Sequence, residues 1–421
     1  MTRYLDHAAT SPLRPAALEA WTRAQRDLAA DPGNPAALHA GGRRAKRMLE
    51  DARERIGAAL GAERAEVVLV SGATEADALG VVGAARGARA ADPARDRVLL
   101  SPLEHDAVGE QRDVLEALAF SVDLLTASRS GLVDLDPETL AGAAPRLALA
   151  SLVSVCSEIG TIQPVRALVE ALGAGGVLAG RPLVHTDAAQ AIGVLGFDFR
   201  ALGVDLASLG GHKVGAPVGT GALLVKRGVR ILTDRPGGGH ERSIRSGTPD
   251  VAGACALAAA LEEAAVEREA FARRAVMLRD RIARGLPAGA RLTIDPADSS
   301  PAIVHLSLDT SHPEAVLMSM DAAGIRVSAG SACHAGVTRP SAILLAMGAS
   351  EREALGVLRV STGPETSEAD VDALLAALPV ALEAGRALDA LDRRRGSAPP
   401  PARSKALPAL PRADDPVREE S

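Results

Sequence analysis

Short apolar runs alternate along this chain with longer stretches in which apolar residues recur every three or four positions, the mark of strands alternating with amphipathic helices. Residues 15–28 have helical spacing and open on Pro15, and a loop rich in Pro, Gly and Asn follows at 31–35. From 42 to about 60 a second helix places Met48, Ala52, Ile56 and Leu60 on one face. Residues 67–70 form an apolar strand that runs through Ser71 and Gly72 into a helix. The pattern then repeats. Strands are predicted at 98–101, ending near Glu104 and His105; at 147–155, ending at Cys156; and at 183–187, ending on Asp187. Helical segments between them predict an α/β unit over 15–260 with a mainly parallel sheet. Its polar residues gather at the strands' carboxyl ends, where open sheets of this class bind ligands.

After a long helix over 251–284 the pattern changes. Strands at 302–308, 325–328 and 356–361 and helices at 313–323, 341–347 and 367–391 predict a smaller α+β domain over 261–393. Residues 1–14 join it as an extended arm. Residues 394–421, rich in Arg, Pro and Ala, read as a disordered tail. The chain shows no internal repeat beyond the βα alternation.

Composition narrows the class. Hydrophobic residues make up 47% of the 421 residues, but aromatics only 1%, so Ala, Leu and Val must fill the core. A net charge of -6 argues against a nucleic-acid surface. The three cysteines, at 156, 255 and 333, form neither a disulfide framework nor a metal knuckle, as in a reducing compartment. No apolar run approaches the roughly 18 residues of a membrane span, and the first residues lack an apolar signal core. A cytoplasmic protein without a bound metal is expected.

Candidate chemistry centres on Lys213. The chain has four lysines, and Lys46, Lys226 and Lys405 stand beside Arg or Ser, whereas Lys213 follows His212 between an apolar run and a glycine-rich turn. Such an amine suits a Schiff base with pyridoxal 5'-phosphate (PLP). A PLP site also needs an acid at the pyridine nitrogen, donors for the phosphate and a group over the ring. Asp187, Thr74 and His105 stand at strand ends where they meet those needs. Taken singly, Asp187 and Thr74 also read as helix caps and His105 as a structural histidine. Cys156 and Cys255 read as structural buried thiols. Cys333 lies among small residues with His334 beside it, a setting that favours a reactive thiolate.

Several motifs occur in order: Tyr4-Leu-Asp-His-Ala-Ala-Thr10, Gly33-Asn-Pro35, Ser71-Gly-Ala-Thr-Glu75, Glu104-His105, Glu158-Ile-Gly-Thr-Ile-Gln-Pro164, Asp187-Ala-Ala-Gln190, Gly211-His-Lys213, Gly237-Gly-Gly-His-Glu241, Arg245-Ser-Gly-Thr248, Ser328-Ala-Gly-Ser-Ala-Cys333 and Arg359-Val-Ser361. Through them the chain resembles, from Tyr4 to about Leu391, the cysteine desulfurases of the class V PLP-dependent aminotransferase-fold enzymes. The resemblance implies an aspartate aminotransferase-like fold and a homodimer. It implies that Lys213 carries PLP, Asp187 pairs with the pyridine nitrogen, Gln190 bonds the ring hydroxyl, and His105 stacks on the ring and moves protons. Thr74 and His212 would hold the phosphate with Thr248 of a second subunit. Arg359 would grip the substrate carboxylate as a fork, with Asn34 nearby. Cys333 would take sulfur from L-cysteine as a persulfide, release L-alanine and pass the sulfur to an acceptor in iron–sulfur cluster assembly or tRNA thiolation.

Two positions depart from that pattern. Ser157 stands where many relatives have an asparagine that bonds the PLP ring hydroxyl, and Gly210 where they tend to have a phosphate-binding serine. They motivate an alternative reading, a degenerate PLP-fold scaffold or regulatory partner. Within the fold, a selenocysteine lyase or an aminotransferase is the other alternative, although an aminotransferase has no use for Cys333.

Overall fold

The structure is a computed structural model that describes residues 2–173, 180–329 and 339–396. Its main sheet has seven strands, in the spatial order Val67–Val70, Gly221–Val225, Leu206–Gly210, Leu183–Asp187, Leu147–Ser151, Arg97–Leu100, Ser121–Leu124. Every strand in it is parallel to the others except Gly221–Val225, which runs antiparallel to both neighbours. The chain length explains the exception. Only residues 211–220 separate Leu206–Gly210 from Gly221–Val225, too few for the dozen or more that a parallel crossover requires. The chain must turn straight back, and Lys213 lies in that turn.

Both faces of the sheet are covered, so its strands are apolar throughout rather than alternating. Val67 and Leu69 enter a core on one face, with Leu147, Ala150, Ala207 and Leu224. Val68 and Val70 enter the core on the other, with Leu149, Leu183, Leu206 and Leu223.

The helices follow their sequence signals. His39 Nδ1 accepts from Gly42 N, so the helix predicted from residue 42 starts earlier and spans Ala40–Leu60; Gly61, at φ 68°, ends it. Asp250 caps the 35-residue helix Val251–Gly285. Its first half packs into the main core through Leu257 and Leu261, and its second half reaches a separate core through Leu278 and Ile282. That core lies against a three-stranded antiparallel sheet of Val357–Ser361, Ile303–Leu308 and Ala290–Leu292. The first residues belong to the same region, because Arg3–Tyr4 pairs with Ile325–Arg326.

Further differences from the sequence reading concern the limits of some elements and two strands it did not predict. The strand predicted over 147–155 stops at Ser151; beyond it the chain forms isolated bonds such as the Val155–Ile162 bridge. The edge strand Ser121–Leu124 and the short strand Ala290–Leu292 carry too weak an apolar pattern to be read from sequence. The last helix, Glu368–Arg395, extends past the residue 393 boundary expected for the tail. Residues 397–421, most of that tail, and residues 330–338, including Cys333, lie outside the described residues.

Candidate active site

Because six of the seven main strands are parallel, their carboxyl ends share one edge. Lys213 stands there, in the short turn Gly211–Lys213 directly after Gly210. Its Nζ donates to Ala8 O at 2.6 Å and Ala9 O at 2.9 Å. Burial, and then the charge of Arg359, lowers its pKa to about 8, while Asp187 and Asp6 oppose that shift. A larger fraction of such an amine is neutral, and hence nucleophilic, near neutral pH than in an ordinary lysine.

The N-terminal arm brings several expected site residues together. Gln190 Nε2 donates to Ala8 O at 2.9 Å. His212 Nδ1 lies 3.1 Å from Thr10 Oγ1, and Ser11 Oγ donates to Lys213 O at 3.0 Å. Arg359 Nη2 donates to Asp6 Oδ1 at 3.1 Å, and its Nη1 to Ser157 O at 2.9 Å. Ser157 therefore meets Arg359 through its backbone carbonyl.

Asp187 ends its strand fully inside the protein. Burial raises its pKa, opposed by a 2.8 Å hydrogen bond from Ala189 N and by the nearby charges of His105 and Lys213. The residue forms a tight turn there, not the helix cap that the Ala-rich run suggested. His105 is exposed, and its Nδ1 accepts from Ala107 N at 3.0 Å, capping a short helix. That bond puts the ring proton of a neutral His105 on Nε2.

Beside Asp187 lies a buried polar string that sequence reasoning missed. Ser151 Oγ donates to Glu104 Oε1 at 3.2 Å and stands 2.9 Å from His185 Nδ1, while His185 Nε2 stands 2.9 Å from Ser208 Oγ. Asp77 Oδ1 is 3.6 Å from the same His185 nitrogen, and neither Asp77 oxygen has a hydrogen-bond partner. Burial keeps His185 neutral, with a pKa pushed down to about 3. Burial, reinforced by the charge of Asp187, raises Glu104 to about 8 and Asp77 well above the carboxylate range. The available signal was Ser151, His185 and Ser208, polar residues within buried strands whose carboxyl ends lie at the site.

Gly72 leads into the helix from Ala73, with Thr74, the expected phosphate ligand, exposed in its first turn. A Cβ added to Gly210 would lie 3.3 Å from Ala73 Cβ, 3.4 Å from Ala73 N and 3.6 Å from His212 Cδ2. Gly210, the helix start and His212 therefore meet at one place. Thr248 is exposed and lines a different cleft, with Ser71, Thr220 and Arg245. Asn34 is exposed and shapes its own turn, Oδ1 accepting from Ala36 N at 2.9 Å; no described contact joins it to Arg359.

The chain just before residue 330 is held at Arg359. Ser328 exchanges backbone hydrogen bonds with Arg359, at 2.7 and 3.1 Å. Cys333, five residues further along the chain, lies outside the described residues. Cys156, which precedes Ser157, is fully buried, and burial pushes its pKa up to about 12.

These residues fit PLP. A poised amine, a buried carboxylate that a cationic ring nitrogen would compensate, and a helix start uncrowded at Gly210 supply three of the contacts that the cofactor needs. Among the described residues no cluster of His, Cys, Asp and Glu could hold a metal ion, and no helix is long and apolar enough to cross a membrane.

Known proteins agree with this architecture. A family model described as Aminotransferase class-V matches residues 3–374. An IscS-like cysteine desulfurase of Mycobacterium tuberculosis is 41% identical over 395 residues, covering 91% of this chain and 97% of the relative. A solved NifS-like protein superposes with a TM-score of 0.80 at 29% identity, covering 91% of this chain and 99% of that one. A structure described as SspA in complex with cysteine has a TM-score of 0.72 at 27% identity, over 87% of this chain and 100% of that one. The fold is the α/β fold of those structures, and the chain belongs to the class-V aminotransferase family, among its cysteine desulfurases.

Proposed function

We propose that this protein is a PLP-dependent desulfurase that converts L-cysteine to L-alanine, holds the sulfur as a persulfide on Cys333 and passes it to a protein acceptor. The observation that carries this reading is the convergence of Lys213, Gln190, His212 and Arg359 on one short arm at the strand ends. Lys213 would hold PLP, Asp187 its ring nitrogen, and Gln190 and Ser157 its hydroxyl side. Thr74 and His212 would bind the phosphate, joined by Thr248 of a second subunit in a homodimer. When bound, PLP supplies an electron sink next to the substrate's α-carbon.

The chain's own groups do the rest. Arg359 binds the substrate carboxylate, with Asn34 nearby, and His105 Nε2 carries a proton over the ring position. The Cys333 thiolate takes the substrate sulfur as the Cβ–S bond breaks, and the remaining carbon skeleton leaves as L-alanine after gaining a proton. The acceptor belongs to iron–sulfur cluster assembly or tRNA thiolation, in the cytoplasm. In this reading residues 15–260 form the cofactor domain, and residues 1–14 and 261–393 the domain that carries Cys333.

The test is direct. Purified protein given PLP, L-cysteine and a reductant should yield alanine and sulfide in equal amounts. Cys333→Ala should abolish sulfide release and leave the absorbance of bound PLP unchanged. Sulfide release that survives Cys333→Ala would reject the persulfide route, and a protein that takes up no PLP would point to the scaffold instead.

A further inference from the structure

Arg359 is enclosed, with only 7% of its surface exposed. Its Nη1 is committed to Ser157 O and its Nη2 to Asp6 Oδ1. The remaining nitrogen, Nε, is buried without a partner and closed to solvent. A carboxylate gripped by a fork needs two N–H groups on one edge of the guanidinium. With Nε closed, both N–H groups of a fork must come from Nη1 and Nη2, and Nη2 already donates to Asp6.

We propose that Asp6 is a resident carboxylate on Arg359, and that the α-carboxylate of L-cysteine displaces it on binding. A guanidinium this deeply enclosed is costly to leave without a counter-charge. Asp6 keeps it paired between turnovers, and the exchange of one carboxylate for another preserves the charge balance of the site. The displaced residue is tied to the arm. Asp6 bridges Ser361, Ala8 N donates to Ser361 Oγ at 2.9 Å, and Ala8 O and Ala9 O receive Lys213 Nζ. Substrate binding at Arg359 therefore frees Asp6, whose carbonyl accepts from Ala9 N and Thr10 N, and with it the turn that carries the arm. Asp6 acts as a specificity-determining residue, because a ligand must bring its own negative charge to replace it.

This inference rests on the reading of Arg359 as the carboxylate grip, so the experiment separates the two. In the PLP-loaded enzyme, Asp6→Asn is expected to lower KM for L-cysteine roughly three- to tenfold, the scale of removing the charge from a hydrogen bond that the amide oxygen can still accept. Its kcat should change by less than about twofold, and Asp6→Glu should return KM toward the original value. An unchanged or raised KM in Asp6→Asn overturns the proposal. Arg359→Lys, measured in parallel, should raise KM about tenfold or more. If it does, a negative Asp6 result counts against Asp6 alone; if it does not, the Arg359 reading and this proposal both fail. Should Asp6→Asn fail to fold, amide exchange in the unaltered enzyme decides: the Ala8, Ala9 and Ser11 amides should exchange faster when L-alanine is added, and unchanged exchange overturns the proposal.

Discussion

Lys213 illustrates how far a single residue can be read. Its isolation among small and apolar neighbours is visible in the sequence, but its pKa of about 8 depends on burial and on Arg359, which lies 146 positions later in the chain. At pH 7 about a tenth of such amines are neutral, against less than about one in a thousand for an ordinary lysine. The rate at which cofactor-free protein captures PLP should therefore rise with pH through a midpoint near pH 8 and level off above it; a midpoint above pH 10 would reject the assignment. The sign for stability follows from the same shift. Between pH 8 and the ordinary lysine value the unfolded chain binds the extra proton, so stability rises with pH across that window. A Lys213→Met variant of the cofactor-free protein should be the more stable at pH 7 and lose that advantage by about pH 10.5, as urea unfolding at several pH values would show. The string of Glu104, Ser151, His185 and Asp77 was not legible at this scale, since its hydrogen bonds join residues of different strands and loops.

At the level of elements, the unit that matters is a strand end facing a helix start. Val67–Val70 and Leu206–Gly210 flank the return strand Gly221–Val225, and Gly72 and Gly210 approach the same helix terminus. A Cβ on Gly221 would come within 2.7 Å of Gly72 Cα and Leu209 O, so glycine is required where that strand passes beneath the turn. Gly210 is less crowded. Its nearest contacts, at 3.3 and 3.4 Å, need only a few tenths of an ångström of give, and a serine there would bring a hydroxyl to the helix start. Gly210→Ser is expected to tighten PLP binding about tenfold, the effect of one charge-assisted hydrogen bond. The Gly210→Ser, Ser157→Asn double variant should bind more tightly still. Titration of cofactor-free protein with PLP measures both, and a gain below about twofold would show that water or backbone already serves at Gly210. The sequence pattern located these strands because buried parallel strands are apolar throughout. It overran at 147–155, where the apolar run continues and Leu152 N and Ser154 N still bond Leu183–Asp187, but Val155 turns away to bridge Ile162.

For the whole molecule, one helix and one arm connect the two cores. Val251–Gly285 spans about 50 Å at 1.5 Å per residue, long enough to enter the main core at Leu257 and the smaller core at Ile282. Ile282 is fully buried, and truncating it leaves a cavity. Ile282→Ala should lower the unfolding free energy by about 2–5 kcal/mol, measured by urea denaturation, and a loss below about 1 kcal/mol would mean that the smaller core closes around the gap. The arm makes the reverse crossing, from its pairing with Ile325–Arg326 to its bonds with Lys213 and Gln190.

The sequence by itself determined the succession of strands and helices, the edge at which polar residues collect, and the identity of Lys213, Asp187 and Arg359 as candidates. Those features are local, set by apolar period, turn residues and ordered motifs. Only the tertiary structure decided that residues 6–11 lie across the site, that Asp6 holds Arg359, and that Asp77, Glu104 and Asp187 share one buried region. These are contacts between residues far apart in the chain, and their energies come from burial and from charges brought together by folding, which no local pattern encodes.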